Sequence, residues 1–182
     1  MKSERIKTVI IVCLALVVFI MYLYLSSLKD TRVLPRIAVI QDRPQEWADA
    51  LKLGFNAGLA AEGYEPGKQI IVVPFSSAGD PQGLGSLANY LASSDFAMIY
   101  TLGTQASQEV FSVIKEKPMI FGAITDPIAA KFYDGSLQKP LKNITGTQDI
   151  WPYPAQFDLM QKLIPKLTKL GIVYNSGEVN AQ

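Results

Sequence analysis

The feature that most constrains this chain is a repeated alternation of short apolar runs and amphipathic stretches. The runs are rich in branched aliphatic and aromatic residues, which is typical of buried β-strands. They occupy residues 36–41, 69–75, 96–101 and 118–121. After the first run, apolar side chains recur at the spacing of one helical face, at Trp47, Leu51, Phe55 and Leu59. Because apolar strands that alternate with helices form a parallel sheet covered on both faces, the sequence predicts an α/β fold with a doubly wound parallel sheet.

Residues 1–30 differ from the rest of the chain. After a basic start, residues 8–28 carry no charge, and about 21 residues are enough for one bilayer-spanning helix. No small-residue cleavage site follows, which favours an uncleaved membrane anchor over a cleaved signal segment. We therefore expect one N-terminal transmembrane helix, followed by a linker at residues 31–35.

Composition excludes several functional classes. The chain has no histidine, the side chain used most often as a general base near neutral pH and as a transition-metal ligand. The single cysteine, Cys13, lies in the apolar N-terminal segment, so a zinc thiolate cluster is excluded. A net charge of +1 gives no basic footprint for a polyanion. We expect a protein that is not an enzyme and has no metal, no cofactor and no nucleic-acid partner.

Polar residues follow the predicted strands, and ligands of open parallel sheets bind outside the carboxyl ends of strands. Gly103 and Thr104 open a helix, where backbone N–H groups either bind an anion such as an amino-acid carboxylate or only receive a cap. Asp126 could accept hydrogen bonds from a ligand ammonium or only cap a turn. Asp149 and Trp151 could hold the charged and flat parts of a small ligand or only form a surface turn. The candidate ligand-binding residues of these loops are Gln41, Gly103, Thr104, Gln105, Thr125, Asp126 and Asp149.

The C-terminal part of the chain begins a further unit. Residues 154–166 have helical spacing, and residues 170–174 form an apolar run that predicts one more strand. The chain then ends at Gln182. Because a strand that opens a unit and stops is unusual for a complete domain, the simplest interpretation is truncation.

Several short motifs occur in an order that resembles one known family. They are Gly54-Phe55, Gly63-Tyr64, Gly103-Thr104, Thr125-Asp126-Pro127, Asn143-Ile-Thr-Gly146 and Tyr174-Asn175. Over about residues 36–182 the chain resembles the ABC-transporter substrate-binding family that includes tryptophan and tyrosine importers. That family has the type I periplasmic-binding-protein fold, in which two α/β lobes surround a ligand cleft. The resemblance implies that residues 36–169 form the first lobe and that residues 170–182 are a crossover strand into a missing second lobe.

The resemblance also implies a function and a location. The expected function is that of an extracytoplasmic solute-binding component of an ABC importer, which passes a small molecule such as an aromatic amino acid to an ABC permease in the membrane. The expected location is the cell membrane, with a single span and the globular part on the extracytoplasmic (periplasmic) side. The alternative is a membrane-anchored sensory or interaction module that reuses the lobe without transport. The residues that the resemblance places at the cleft are Gly103, Thr104, Thr125, Asp126, Asp149, Asn175, Glu178 and Asn180.

Overall fold

The computed structural model describes residues 2–28, 33–141 and 143–174. Contacts divide the chain into two units, Met1–Leu34 and Pro35–Gln182. The first unit contains helix α1, Lys2–Leu28. In the described part of the chain, no helix combines the length and the apolar character needed to cross a membrane, so the predicted transmembrane helix is not supported.

The second unit alternates strands and helices along the sequence. Its elements are β1 (Arg36–Gln41), α2 (Glu46–Ala61), β2 (Ile71–Ser76), α3 (Pro81–Ser93), β3 (Met98–Leu102), α4 (Thr104–Val113), β4 (Met119–Ile124), β5 (Ile144–Gln148) and α5 (Tyr153–Leu163). The strands form one sheet in the order β2-β1-β3-β4-β5, and each neighbouring pair is parallel. This sheet confirms the predicted doubly wound α/β fold. Because β2 and β3 flank β1 on opposite sides, the strand order reverses between β1 and β3, which is the switch point of the fold.

Helices cover both faces of the sheet, as apolar strands require. On one face α3 and α4 pack against the strands through fully buried side chains that include Leu91 and Val110. On the other face α2 packs through Ala48 and Phe55, and the Phe55 ring stacks on Tyr100 with ring centroids 4.4 Å apart. Burial of apolar surface, at roughly 25 cal/mol per Å², therefore fixes the strands and with them the loops at their carboxyl ends.

In the C-terminal part, the structure differs from the sequence analysis at residues 170–174 and at β5. The structure has no strand at residues 170–174, which are exposed and pair with no strand in the described part of the chain, so the crossover strand stays a prediction. Conversely, no apolar run marks β5, which nevertheless pairs in parallel with β4. Its sequence is ITGTQ, and only Ile144 is buried, since β5 is an edge strand.

Candidate functional site

A large cavity lies at the carboxyl end of the sheet, at the switch point between β1 and β3. Its volume is ≈ 1090 Å³, the upper size of small-molecule sites. Loops after β1, β3, β4 and β5 line it, together with the first turns of α2 and α4. Its polar and aromatic lining residues are Asp42, Arg43, Gln45, Trp47, Thr104, Gln105, Gln108, Thr125, Asp149 and Trp151, and Gly103 and Ala123 lie between them.

The first turn of α4 presents backbone donors to the cavity. Its N-cap residue Gly103 has φ 82° and ψ 163°, a conformation almost restricted to glycine. Because Gly103 has no side chain to cap the helix, the first N–H groups of α4 stay available to an anion, which the helix dipole also stabilises. Beneath this turn, the buried Ser107 hydroxyl donates to the Gly103 carbonyl at 2.7 Å and shares a 2.7 Å hydrogen bond with Thr101. These two hydrogen bonds therefore hold the first turn of α4 from its buried side.

The loop after β1 brings an ion pair to the opposite wall. The backbone carbonyl of Asp42 accepts hydrogen bonds from Ser77 Oγ and Gly79 N, each at 2.8 Å, which joins the loops after β1 and β2. Arg43 Nε lies 2.9 Å from Asp42 Oδ2, so the Asp42 carboxylate is already paired. Within the described residues, no group of three or more cysteine, aspartate or glutamate side chains could hold a metal ion.

A β-bulge shapes the third wall. The register of β4 against β5 shifts between Phe121 and Ile124, where Ala123 takes a left-handed φ of 55°. Bulges next to sites re-aim the side chains that follow them. Here Thr125 Oγ1 donates to Asp149 Oδ1 at 3.0 Å. Asp149 is half-buried and forms no ion pair with any described residue, so its charge at the cavity is not compensated.

Both tryptophans of the chain line the cavity, and the helical pattern alone assigns Trp47 to the buried face of α2. In the structure Trp47 is 40% exposed, and its Nε1 donates to Gln45 Oε1. Trp151 follows β5 and is 55% exposed. One signal could have identified Trp47: the first helical turn after β1 must lie at the carboxyl edge of the sheet, where ligands bind.

The structure brings some predicted site residues together and separates others. Those that line the cavity are Gly103, Thr104, Gln105, Thr125 and Asp149. Gln41 is only 6% exposed and does not line it, and its Oε1 has no hydrogen-bond partner among the described residues. Asp126 is also absent from the lining, because its Oδ1 accepts hydrogen bonds from the N–H groups of Ile128 and Ala129, both at 2.9 Å. Asp126 therefore caps its own turn, which is one of the two interpretations that the sequence leaves open. Asn175, Glu178 and Asn180 lie outside the described residues.

Several proteins with a similar sequence or structure are described as binding proteins. The profile of a family described as "ABC transporter substrate binding protein" matches residues 36–182. A tyrosine-binding protein of Clostridioides difficile is 31% identical over 153 residues. A crystal structure of an ABC domain in complex with L-Trp from Streptococcus pneumoniae has a TM-score of 0.75 and 32% identity and covers 81% of this chain. A ligand-free, open substrate-binding protein with adhesive properties from Clostridium difficile has a TM-score of 0.68, 28% identity and the same 81% coverage.

The matches cover most of this chain but only part of the relatives. The match to the tyrosine-binding protein spans 84% of this chain and 44% of that protein. The matches to the L-Trp complex and to the ligand-free protein span 49% and 50% of those chains. The chain therefore spans about half the length of the relatives it matches.

Proposed function

This chain belongs to the ABC transporter substrate binding protein family, and we propose that the cavity at its switch point binds a small zwitterionic solute such as an aromatic amino acid. Relatives named for tyrosine binding and solved with L-Trp support this class of ligand. The observation that carries the proposal is that an uncapped helix N-terminus and an uncompensated carboxylate line the same cavity. These are the two groups that the carboxylate and the ammonium of a zwitterion require.

The carboxylate of the solute binds at the first turn of α4. Free backbone N–H groups and the positive end of the helix dipole favour an anion there. The Thr104 hydroxyl lines the cavity at the same turn and supplies one more donor. Since Gly103 carries no side chain, the ligand can approach the backbone closely.

The ammonium of the solute binds at Asp149. One carboxylate oxygen of Asp149 accepts a hydrogen bond from Thr125 at 3.0 Å, which orients the group. No cation of the described residues pairs with Asp149, so a bound ammonium would compensate its charge. The Asp42 carboxylate is a poorer acceptor because Arg43 already pairs with it.

The proposed biological role is that of an extracytoplasmic solute-binding component of an ABC importer, which works with an ABC permease and binds its solute without chemical turnover. The family description supports this role. Binding without turnover also agrees with a sequence that has no histidine. No observation favours the sensory or interaction module over this role.

The test is binding of L-tyrosine to the 182-residue chain, measured by ligand-detected NMR, which is sensitive to weak binding. Tyramine lacks the carboxylate, and 3-(4-hydroxyphenyl)propionate lacks the ammonium, so both should bind less tightly than L-tyrosine. Asp149→Asn should weaken L-tyrosine binding roughly tenfold or more, because a hydrogen bond to a charged group is lost. It should leave binding of the propionate unchanged.

The matched control for this test is Asp126→Asn. Asp126 lies at the end of the neighbouring strand but caps a turn and does not line the cavity. This variant should bind L-tyrosine like the unaltered chain. Equal binding of L-tyrosine and tyramine, or an equal effect of the two variants, would contradict the proposed site.

A further inference from the structure

Trp47 leaves an unusually large part of its ring uncovered for an aromatic residue on a core-facing helical stripe. The side chain is 40% exposed, and it borders the cavity next to Ala50 and Leu51 of the same helix. Phe55 on the same helix differs from Trp47, because its ring is already covered by stacking on the Tyr100 ring. Uncovered indole surface inside a cavity is a contact surface that a flat ligand can cover.

Two contacts orient the Trp47 ring. Its Nε1 donates to the side chain of Gln45, the N-cap residue of α2. Its far edge rests on Gly103, since a Cβ on Gly103 would lie 3.2 Å from Trp47 Cη2. A pre-oriented ring costs little conformational entropy on binding, which favours tight and selective contacts.

The contact with Gly103 also sets where the indole stands relative to the proposed carboxylate subsite. Gly103 immediately precedes the free N–H groups of α4, so a ligand carboxylate at those groups places the rest of the ligand beside the indole. By contrast, the exposed Trp151 ring has no hydrogen bond or ring contact with any described residue that would hold its orientation.

We infer that Trp47 is the residue that selects the ligand side chain: its fixed indole stacks on a planar side chain and gives the site a preference for aromatic over aliphatic amino acids. This inference rests on the proposed function. It adds that selectivity comes from α2 and is separate from the backbone N–H groups of α4 and the Asp149 carboxylate after β5, which recognise the zwitterion common to all amino acids.

The test compares L-tyrosine with L-leucine, which share the zwitterion and differ in the side chain. Trp47→Leu keeps apolar volume and removes the aromatic face, whereas Trp47→Phe keeps an aromatic face and removes the hydrogen bond to Gln45. We expect Trp47→Leu to lower the ratio of L-tyrosine to L-leucine affinity roughly three- to tenfold. Trp47→Phe should retain most of that ratio.

A second measurement uses tryptophan fluorescence. Trp151→Phe leaves Trp47 as the one tryptophan, and the fluorescence of Trp47 should then change on addition of L-tyrosine.

Each outcome separates the inference from the proposed function. If Trp47→Leu weakens L-tyrosine and L-leucine equally, or if Trp47→Phe loses selectivity as fully as Trp47→Leu, the selecting role of the indole is overturned while the zwitterion site stands. If the unaltered chain binds neither amino acid in a carboxylate-dependent manner, the proposed function and this inference both fail.

Discussion

Gly103 shows how much of the site depends on one residue. Its φ of 82° is unfavourable for any residue with a Cβ, and the space above its Cα holds the Trp47 ring. The same residue leaves the first turn of α4 without a side-chain cap. A single glycine therefore shapes the backbone turn, leaves space for the Trp47 ring and keeps the proposed carboxylate subsite open.

We expect Gly103→Ala to lower the free energy of unfolding by about 1–3 kcal/mol, because alanine is strained in this conformation. Its Cβ would also displace Trp47, so the ratio of L-tyrosine to L-leucine affinity should fall. The matched control is Gly54→Ala, since Gly54 lies within α2 and a Cβ there meets nothing within 4 Å. That change should stabilise the protein by about 0.5–1 kcal/mol. Denaturant unfolding measures the change in the free energy of unfolding for each variant, and equal changes for the two variants would contradict the role of Gly103.

The sequence predicts the position of site residues better than the direction of their side chains. Gly103, Thr104 and Thr125 follow apolar runs, and strand ends of a parallel sheet meet at one edge. The same rule selects Asp126, which points its carboxylate into its own turn. The sequence cannot show which of these side chains lines the cavity and which points into its own turn, because a backbone bend of one residue decides the direction. Trp47 was missed for the opposite reason, since its helical spacing matches that of core residues.

At the scale of elements, the bulge between β4 and β5 is the feature that sequence does not reveal. Ala123 is an ordinary strand residue by composition, yet it takes φ 55° and shifts the register between Phe121 and Ile124. The first four strands are predictable because β1 to β4 are apolar runs, although only β1, β3 and β4 contain buried residues. β5 is not predictable in this way, because Ile144 is the one apolar and buried side chain among its five residues.

We expect Ala123→Gly to cause no loss of stability and a gain of up to about 1 kcal/mol, because glycine relieves the left-handed strain of this position. The control is Ala57→Gly, the same substitution at an exposed position within α2. That change should cost about 1 kcal/mol. Urea titrations of the two variants measure the two changes in the free energy of unfolding and compare their signs directly. Equal destabilisation by both changes would show that the bulge does not strain Ala123.

The packing of α2 on the sheet predicts a pH dependence. Burial raises the pKa of Tyr100 above its ordinary value of 10.0, so the folded state favours the neutral phenol. In the unfolded chain Tyr100 ionises first as the pH rises, and the stability it contributes below pH 10.0 is lost above that value. Tyr100→Phe should therefore reduce the loss of stability between about pH 9 and about pH 11. The exposed control Tyr64→Phe should leave that loss unchanged in the same denaturant titrations.

At the scale of the whole molecule, the carboxyl end of the sheet provides the charged groups and the oriented indole, but the cavity between them stays open. Trp47 and Trp151 stay 40% and 55% exposed, whereas closed small-molecule sites bury 70–90% of the ligand surface. The fold class follows from local patterns along the chain, but closure of a cavity depends on surfaces that no local pattern encodes. The chain also spans only 44% of the length of the tyrosine-binding protein.

We therefore expect this chain alone to bind L-tyrosine weakly. If an opposing surface would cover on the order of 100 Å² of apolar ligand area, its absence costs about 2.5 kcal/mol at roughly 25 cal/mol per Å², which is more than tenfold in the dissociation constant. Calorimetry should show no sub-micromolar binding. A fusion that continues after residue 182 with the following part of the tyrosine-binding protein should bind L-tyrosine at least tenfold more tightly. Asp149→Asn should weaken L-tyrosine binding by the chain and by the fusion alike. Sub-micromolar binding by the chain alone that Asp149→Asn leaves unchanged would show that the solute occupies another site.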